Sequence, residues 1–558
     1  MNRKWSSKIR SAVMLSMAVG CSSAFAVDQA VPAFDTTENY FKLGGYVRAW
    51  MSWNLKDNND ATSPLPGQPV MPALGGKGKE MMERGALQLT ADAKTGPLTW
   101  RAVARADREQ MTSWQDELQK RACFAATFGA NGPGPGCSMK DQYNQTELRE
   151  LYADFNVGDR FLVRLGKQQV VFGETDFFHP NDLLHGFDFR WRAFGEPESD
   201  EQRKPLIMAN VKMAVPEAAG TLQVVIRPGW DRRKDIGNTY DISGGRWMAV
   251  PNQGLDYLAY ATVFDYNHPE GNYKDTTGAI RWSGLANGGA LNYAISYQHV
   301  FQPDFTLNPC GVFAAPGQRD ASGCVPSIYY KKAPSNKAYG DWFYPIIDVV
   351  GASVSGESET LDAVVNFEMA YQKGRTYNSY SDVSGTPNAA GWFQIPNNAG
   401  TMGPVIKKNV VQTTLRIDKQ VRIMDLVGTN APSFASIQIF DTWVPDLKAE
   451  EDIVAAVGNA AKLKVHSTMA TAFITFPYMA SRLTYALAYG RELQAGNAFF
   501  IPSVSYNVGN HWRLSADAVL FYTKDARPDN TTASGSNMYG LAAFHNRDYL
   551  TLRATYQF

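Results

Sequence analysis

Apolar and polar residues alternate along segments of about ten residues, which is the period of a β-strand. The first such segment carries Phe41, Leu43, Val47, Ala49, Met51 and Trp53 on one face and Lys42, Tyr46 and Arg48 on the other. The same alternation returns over residues 98–107, 411–418 and 512–520. A tilted strand of this length crosses a bilayer with its apolar face toward the lipid.

The connections between these segments alternate in length. Short turns lie at 94–97, 158–159, 284–289, 355–358 and 507–510, and long polar stretches rich in glycine and proline lie at 54–82, 110–146, 301–345, 373–406 and 524–547. Short periplasmic turns and long outer loops are typical of outer-membrane barrels. We therefore predict an all-β fold, a transmembrane antiparallel β-barrel of roughly 16–18 strands over residues 27–558.

Two regions depart from this pattern. Strands counted from the two chain ends clash in parity between residues 160 and 255, so one strand there is missed or surplus. Residues 446–459 follow Pro445 and place Leu447, Ile453 and Val457 at near-helical spacing. This spacing predicts a short helix in an outer loop.

The composition excludes a polytopic helical membrane protein. Hydrophobic residues make up 44% of the chain, charged residues 19%, and the mean hydropathy is −0.30. A barrel tolerates such values because it turns only half of each strand toward lipid. Basic and acidic residues number 54 each, so no excess of positive charge indicates nucleic-acid binding.

The N-terminus predicts export. Four basic residues within the first ten precede an apolar stretch at 12–19 and a small-x-small site at 24–26. This is the pattern of a secretory signal peptide, here residues 1–26, whose removal leaves the mature chain weakly acidic. The residues before Cys21 also resemble a lipoprotein box, so lipidation of Cys21 is the alternative to cleavage after Ala26.

Cleavage after Ala26 would leave four cysteines, which are Cys123, Cys137, Cys310 and Cys324. The members of each pair are 14 positions apart in sequence rich in glycine and proline. An even number of local pairs in an exported chain predicts two disulfides, Cys123–Cys137 and Cys310–Cys324. A metal site is the alternative, but the sequence has no Cys-x-x-Cys motif.

The C-terminus reads as a strand that ends on an aromatic residue. One face carries Leu550, Leu552, Ala554, Tyr556 and Phe558, and the other carries Thr551, Arg553, Thr555 and Gln557. A terminal Phe behind alternating apolar positions resembles the final strand that the barrel-assembly machinery recognises. Phe558 and Tyr556 are therefore predicted assembly signals, and the alternative is a soluble sandwich or propeller that ends on an edge strand.

The seven histidines do not belong to a recognisable catalytic motif, since the sequence lacks G-x-S-x-G, H-E-x-x-H and P-loop patterns. His179 and His185 could hold a metal with Asp176 and Asp182. Loop clusters of this kind are more often hydrogen-bonded anchors. We expect neither enzymatic activity nor a cofactor.

The segment at 164–182 reads Arg-Leu-Gly-Lys-Gln-Gln-Val-Val-Phe-Gly-Glu-Thr-Asp-Phe-Phe-His-Pro-Asn-Asp. With residues 148–154 it resembles a family of proteobacterial outer-membrane barrels defined as domain of unknown function 1302. In that family a strand like Arg-Leu-Gly-Arg-Gln runs into an aromatic-Gly-Glu segment and a Pro-Thr/Asn-Asp turn. Lys167 replaces the usual Arg, and Asn181 stands where Thr is common.

Members of this family are often encoded beside RND-type exporters. The resemblance therefore implies traffic of hydrophobic or amphipathic molecules, with an RND-type transport system as a partner.

The loop at 169–203 follows this strand and is dense in aromatic and charged residues. Folded into the lumen, such a loop narrows a pore, and the alternative is a loop that caps the barrel for stability. The candidate constriction residues are Glu174, Asp176, Phe177, Phe178, His179, Asp182, Trp191 and Arg192.

Basic residues on the polar faces of the strands form a second candidate set. If the apolar faces meet lipid, then Arg48, Arg105 and Arg416 point into the lumen. Basic rings steer anions through a pore. The alternative is internal charge pairing, because Asp107 and Asp418 each lie two positions from an arginine of this set.

Together these patterns predict a channel or transporter in the outer-membrane lipid of a Gram-negative bacterium. Its predicted solutes are hydrophobic or amphipathic small molecules, lipid-, sterol- or aromatic-like. One alternative is a general or anion-selective porin. An alternative of another class is a non-conducting barrel that scaffolds an envelope complex.

The cysteine spacing generates a direct test. Mass spectrometry of an unreduced digest is expected to yield one peptide pair linked through Cys123 and Cys137 and another linked through Cys310 and Cys324. A free thiol at any of these four positions would contradict the pairing.

Overall fold

A computed structural model of the chain describes residues 38–57, 74–126, 135–173, 179–190, 199–232, 235–241, 245–246, 262–263, 276–308, 341–381, 393–394, 401–448, 450–451, 453–455, 462–524 and 540–558. Eighteen long antiparallel strands form a closed barrel, which confirms the predicted fold class. Each strand pairs with its neighbours in sequence, and the last pairs with the first.

The strands are β1 (Tyr40–Asn54), β2 (Glu80–Thr95), β3 (Leu98–Gln110), β4 (Gln145–Val157), β5 (Phe161–Gln168), β6 (Leu206–Val215), β7 (Gly220–Arg227), β8 (Thr277–Ala286), β9 (Leu291–Phe301), β10 (Ile346–Ser358), β11 (Ala363–Ser381), β12 (Thr401–Val421), β13 (Ser433–Trp443), β14 (His466–Tyr478), β15 (Leu483–Glu492), β16 (Ala498–Val508), β17 (Trp512–Tyr522) and β18 (Tyr549–Gln557).

Nine connections join strand ends at the end of the barrel opposite the two chain ends, and the structure describes several of them only in part. They are L1 (55–79), L2 (111–144), L3 (169–205), L4 (228–276), L5 (302–345), L6 (382–400), L7 (444–465), L8 (493–497) and L9 (523–548). Short strands in these loops span Thr262–Val263, Thr306–Asn308, Asp341–Phe343, Phe393–Gln394 and Ile453–Val454. The helices are α1 (Ser113–Ala126), α2 (Met139–Tyr143), α3 (Ser199–Gln202) and α4 (Met424–Val427), with 3₁₀ turns at Pro135–Ser138, Pro216–Ala218, Asn287–Gly289 and Gly540–Phe544.

The alternating positions take the faces that the sequence predicts. In β1 the side chains of Phe41, Leu43 and Val47 are exposed on the outer surface, whereas Tyr46 and Arg48 are buried inside. The same outward and inward alternation holds in β3, β12 and β17. An apolar outer surface is the face that a barrel presents to lipid.

The parity problem between residues 160 and 255 is explained by a hairpin. Residues 206–227 form two strands, β6 and β7, joined by the 3₁₀ turn Pro216–Ala218. Two strands in place of one add a single strand, which restores an even number. Both chain ends then lie at the short-turn end, and L2 and L5 lie at the other.

The helix predicted for residues 446–459 is wrong in the part that the structure describes. Residues 446–448 and 450–451 form turns, and Ile453–Val454 is a short strand that pairs with Asn378 and Ser379 of β11. These apolar residues pack on the barrel wall, where Ile453 joins a buried cluster with Tyr377 and Val410. Residues 456–459 lie outside the described part of the chain.

Loop L2 instead supplies the longest helix of the described chain, α1. Its Trp114 and Leu118 are buried in a cluster with Trp50 and Phe521 of the wall. The predicted disulfide between Cys123 and Cys137 is confirmed, and it ties the end of α1 to the following turn. Cys310 and Cys324 lie outside the described residues. No helix of the described chain is long and apolar enough to cross a membrane.

The barrel closes where β1 meets β18. The amide of Gly45 donates to the carbonyl of Phe558, and the amide of Phe558 donates to the carbonyl of Gly45, both at 3.1 Å. On the other side of β1, the backbone of β2 approaches Gly45 so closely that a Cβ atom there would lie 2.1 Å from the carbonyl oxygen of Gln88.

We expect Gly45→Val to abolish folding of the barrel, because the added side chain forces β1 away from β2 at a cost above about 3 kcal/mol. The measurement is the fraction of compact, heat-modifiable barrel after refolding. The matched control is Gly85→Val, since a Cβ there meets its nearest atom at an ordinary 3.9 Å. Equal refolding of the two variants would contradict the role of Gly45.

Candidate functional site

Helix α3, near the C-terminal end of loop L3, contacts the wall of the barrel. Glu201 accepts a hydrogen bond of 2.9 Å from Arg48 of β1 and another of 2.9 Å from Arg105 of β3. Both arginines are buried on the inward face of the barrel. Arg105 also pairs with Asp107 of its own strand at 3.1 Å, as the charge-pairing alternative predicts. One end of L3 is therefore fixed inside the lumen.

The other end of L3 contacts the far wall through Asn181. The side chain of Gln298 in β9 donates to the Asn181 carbonyl at 2.8 Å, and the Asn181 amide donates to the Ala352 carbonyl in β10 at 3.2 Å. It also reaches the carboxylate of Glu368 in β11 at 3.3 Å. The Asn181 side chain fits here because Gly351 has no side chain. A Cβ atom on residue 351 would lie 2.1 Å from the Oδ1 atom of Asn181.

These two anchors lie on opposite sides of the barrel. Strands β1 and β10 are nine strands apart in either direction around the closed sheet. L3 therefore crosses the lumen from wall to wall rather than lying along one side.

A buried ion pair joins the two parts of L3. Arg203 donates to Asp182 at 2.6 Å, and neither side chain is more than slightly exposed. Burial opposes ionisation of Asp182, but the Arg203 guanidinium outweighs it and holds the pKa of that carboxyl below its usual range. Arg149 of β4 also donates to the Arg203 carbonyl at 2.8 Å, which links the pair to the wall.

His185 is a hydrogen-bonded anchor. Its Nε2 atom accepts from the Val170 amide at 2.9 Å, and its Nδ1 atom lies 2.9 Å from the Lys204 carbonyl. Both ring nitrogens are thus engaged by the backbone of L3. In the described part of the chain, no group of three or more His, Cys, Asp or Glu side chains is placed to hold a metal ion.

A series of ring contacts, stacked from His179 to Tyr240 and edge-on from Tyr240 to Tyr344, continues from L3 into L4 and L5. Successive ring centroids lie 4.9, 6.1, 5.2, 6.3 and 6.2 Å apart along His179, Phe187, Phe189, Tyr240, Phe305 and Tyr344. L3 and L4 are also joined through their backbones, since Phe189 donates to the Thr239 carbonyl at 2.9 Å. The described parts of the three loops therefore contact one another.

A second buried network ties L2 and L4 to the wall. Arg246 of L4 forms an ion pair with Glu109 of β3, and both side chains are fully buried. The Tyr143 hydroxyl of L2 donates to Asp241 of L4 at 2.8 Å. Arg547 of L9 donates to the Arg246 carbonyl at 2.8 Å. Four parts of the chain thus meet at one point.

The predicted site residues divide into three groups. Arg48, Arg105, His179 and Asp182 come together along L3 and its anchors. Arg416 pairs with Asp418 of its own strand at 2.9 Å. Glu174, Asp176, Phe177, Phe178, Trp191 and Arg192 lie outside the described residues.

The sequence alone does not identify the residues that hold L3 in place. These are Glu201, Arg203, Asn181, Gln298 and Glu368. Glu201 and Arg203 stand in the charged run Ser-Asp-Glu-Gln-Arg-Lys at 199–204. This run could have identified them as candidates for ion pairs, but it does not indicate which residues they pair with. The partners Arg48 and Arg105 are 153 and 96 positions away, so no local pattern could pair them.

A closed barrel of eighteen strands with an apolar outer surface and a polar interior is an outer-membrane protein of a Gram-negative bacterium. The chain matches the family described as "Protein of unknown function (DUF1302)" over residues 11–558, and it belongs to that family. The sequence matches none of the curated proteins with which it was compared.

Solved structures to which the chain is similar include outer-membrane proteins of two bacteria. Pseudomonas aeruginosa OpdK with vanillate is 7% identical with a TM-score of 0.40, covering 93% of this chain and 98% of that one. Pseudomonas aeruginosa OccK5 (OpdH) is 7% identical with a TM-score of 0.42, covering 93% and 97%. Acinetobacter baumannii OccAB1 is 10% identical with a TM-score of 0.41, covering 92% and 95%.

The attachment of L3 should depend on pH through His185. Burial lowers the pKa of His185 from 6.5 to about 4, with Asp182 opposing that shift and Arg203 adding to it. Between pH 6.5 and pH 4, His185 is protonated when L3 is undocked but neutral when L3 is docked. The free energy of docking therefore becomes less favourable as pH falls, by roughly 3 kcal/mol at most.

Hydrogen exchange of the backbone over 179–190 and 199–205 measures this effect. After correction for the intrinsic rate, we expect exchange to rise between pH 6.5 and pH 4. His185→Gln should remove the pH dependence. The control His511→Gln, in an exposed turn at the opposite end of the barrel, should retain it. A pH dependence that survives His185→Gln would contradict the assignment.

Proposed function

We propose that the protein is an outer-membrane channel whose lumen is constricted by L3. The observation that carries the proposal is the crossing of the lumen by L3, held by Glu201 at one wall and by Asn181 at the other. A loop fixed at both ends stays in the passage, and loss of either attachment frees one end of it. On this view His179 and Asp182 belong to the constriction.

The inward face of the barrel supports a water-filled passage. Lipid-facing positions are apolar, whereas inward positions include charged side chains such as Arg101 and Arg164 that stay partly exposed. A polar lumen suits hydrated solutes. A general porin or an anion-selective porin would therefore account for these features.

Hydrophobic or amphipathic solutes remain a second proposal. The ring of Phe189 supports it, because it stacks between Phe187 and Tyr240 and stays partly exposed, so it can offer apolar contact to a passing molecule. Recognition of Phe558 and Tyr556 by the assembly machinery, and coupling to an RND-type system, are likewise proposals that rest on the sequence resemblance.

Conductance of the refolded protein in planar bilayers tests the channel. We expect Glu201→Ala to raise the mean conductance at least about twofold, because the hydrogen bonds from Arg48 and Arg105 that hold α3 are lost and the loop swings out of the lumen. Gly351→Val, which displaces Asn181 at the far wall, should act in the same direction.

The matched control is Glu217→Ala. Glu217 is an exposed glutamate in a turn at the other end of the barrel, where it pairs with Arg160 at 2.5 Å. Its loss should leave the conductance unchanged. A wild-type protein that is folded but never conducts would favour the non-conducting scaffold instead. Unchanged conductance in both Glu201→Ala and Gly351→Val would show that L3 is not the constriction.

A further inference from the structure

The outer surface of strands β14 to β17 carries basic side chains only at its loop end. The structure describes these four strands completely, and their outward positions hold no Asp or Glu and only two basic residues, His466 and Arg491. A charge on the lipid face is destabilising at the centre of the bilayer and is tolerated near its interface. Because the long loops lie outside the cell, Arg491 lies at the level of the outer-leaflet headgroups.

Arg491 faces the lipid at the end of its strand. It forms the last register pair of the β15–β16 hairpin before L8, opposite Ala498, and its register neighbour in β14 is Ala470. It shares the outer face with the exposed Tyr489, whereas the next residue, Glu492, is buried inside. A methyl group cannot accept a hydrogen bond, so neither neighbouring strand offers the guanidinium a side-chain partner.

The guanidinium of Arg491 is not used within the protein. Among the residues that the structure describes, its side chain forms no hydrogen bond and no ion pair. Asp441 in β13, two strands away on the outer surface, is already bound by His466 at 2.9 Å and by Thr468 at 2.6 Å. Five donors of Arg491 are therefore directed to partners outside the described chain.

Two other outward basic residues at the loop end are held by the protein. Arg108 in β3 donates to the carbonyl of its neighbour Asp107 at 2.7 Å and to the carbonyl of Gln145 at 2.9 Å. Lys167 in β5 pairs with Asp235 of L4 at 3.6 Å. Arg491 differs from both of these residues in having no such contact, although all three stand at the same end of the barrel.

A second basic side chain lies beside L8. Lys524 of L9 is exposed, and its Cδ atom is 3.3 Å from the position that a Cβ atom on Gly496 of L8 would take. L8 is the shortest of the nine connections, so it leaves this part of the rim low. Toward the bilayer centre the outer surface continues with Tyr489 and Phe500, which are paired in register and exposed.

We propose that Arg491 and Lys524 form a binding site for a phosphate group of lipid A, the glycolipid of the outer leaflet. The guanidinium holds the phosphate through two parallel hydrogen bonds, and the ammonium adds a point charge. The acyl chains of the same molecule lie along Tyr489 and Phe500, where contact removes apolar surface from competing lipid packing. This site lies on the outside of the barrel, so it does not depend on conduction through the lumen.

Native mass spectrometry of the refolded protein in detergent, titrated with lipid A without divalent cations, tests this proposal. We expect the wild type to bind lipid A that carries both phosphates at about a tenfold lower concentration than the same lipid A after removal of its phosphates. Inorganic phosphate should not displace the lipid over that range, because the free ion lacks the acyl chains.

Variants locate the site. Arg491→Gln should weaken binding of phosphorylated lipid A about tenfold, and Lys524→Gln should weaken it in the same direction. Arg491→Lys should retain part of the binding, since it keeps the charge but not the two-point geometry. The matched control is Arg108→Gln, which removes an outward arginine whose guanidinium already has backbone partners, and it should leave binding within about twofold of the wild type.

Heat modifiability shows that each variant is a folded barrel before its binding is compared. Equal binding with and without the lipid phosphates, or wild-type binding by Arg491→Gln, overturns the site. An equal loss in Arg108→Gln overturns it too, because general attraction to positive charge would then explain the binding. Displacement by inorganic phosphate at the concentration of the lipid would assign the residues to the free ion and overturn the lipid.

Discussion

The interior of a bilayer offers no partner for a backbone amide or carbonyl, so every such group of a spanning strand must pair within the chain. The sheet therefore has to close, and it closes where Gly45 and Phe558 exchange two backbone hydrogen bonds. Closure divides each strand into one lipid face and one lumen face. The period of two in the sequence and the polar interior both follow from that single requirement.

Closure also creates the problem that the loops solve. An enclosed lumen buries arginines such as Arg48 and Arg105, and a buried charge is costly unless it is paired and hydrogen-bonded. Glu201 supplies the pairing from L3, so the charges hold the loop and the loop satisfies the charges. This mutual dependence explains why a long loop stays inside the barrel rather than extending from its rim.

Features that depend on neighbours in sequence could be predicted, and features that depend on closure could not. The faces of β1 and β12 follow from local alternation, whereas the alternation is weak in β6 and β7, where apolar residues occupy both faces. The apolar spacing of residues 446–459 predicts a helix, but Ile453 and Val454 are adjacent apolar residues that pair with and pack on the wall. The contacts of Glu201 depend on which strands face L3 after closure.

Charge in the lumen thus has two roles, one in the pairs that hold L3 and one in the partly exposed pairs nearer the chain ends. Arg416 and Asp418, which are buried nearer the chain ends and pair with each other, belong to neither group. Near the loops, charges are buried and paired with loop residues, so a substitution there changes the structure before it changes any solute. Nearer the chain ends, Arg101 and Arg164 stay partly exposed beside their partners on neighbouring strands. The charge of the lumen can therefore change at these two positions without loss of a contact to the described part of L3.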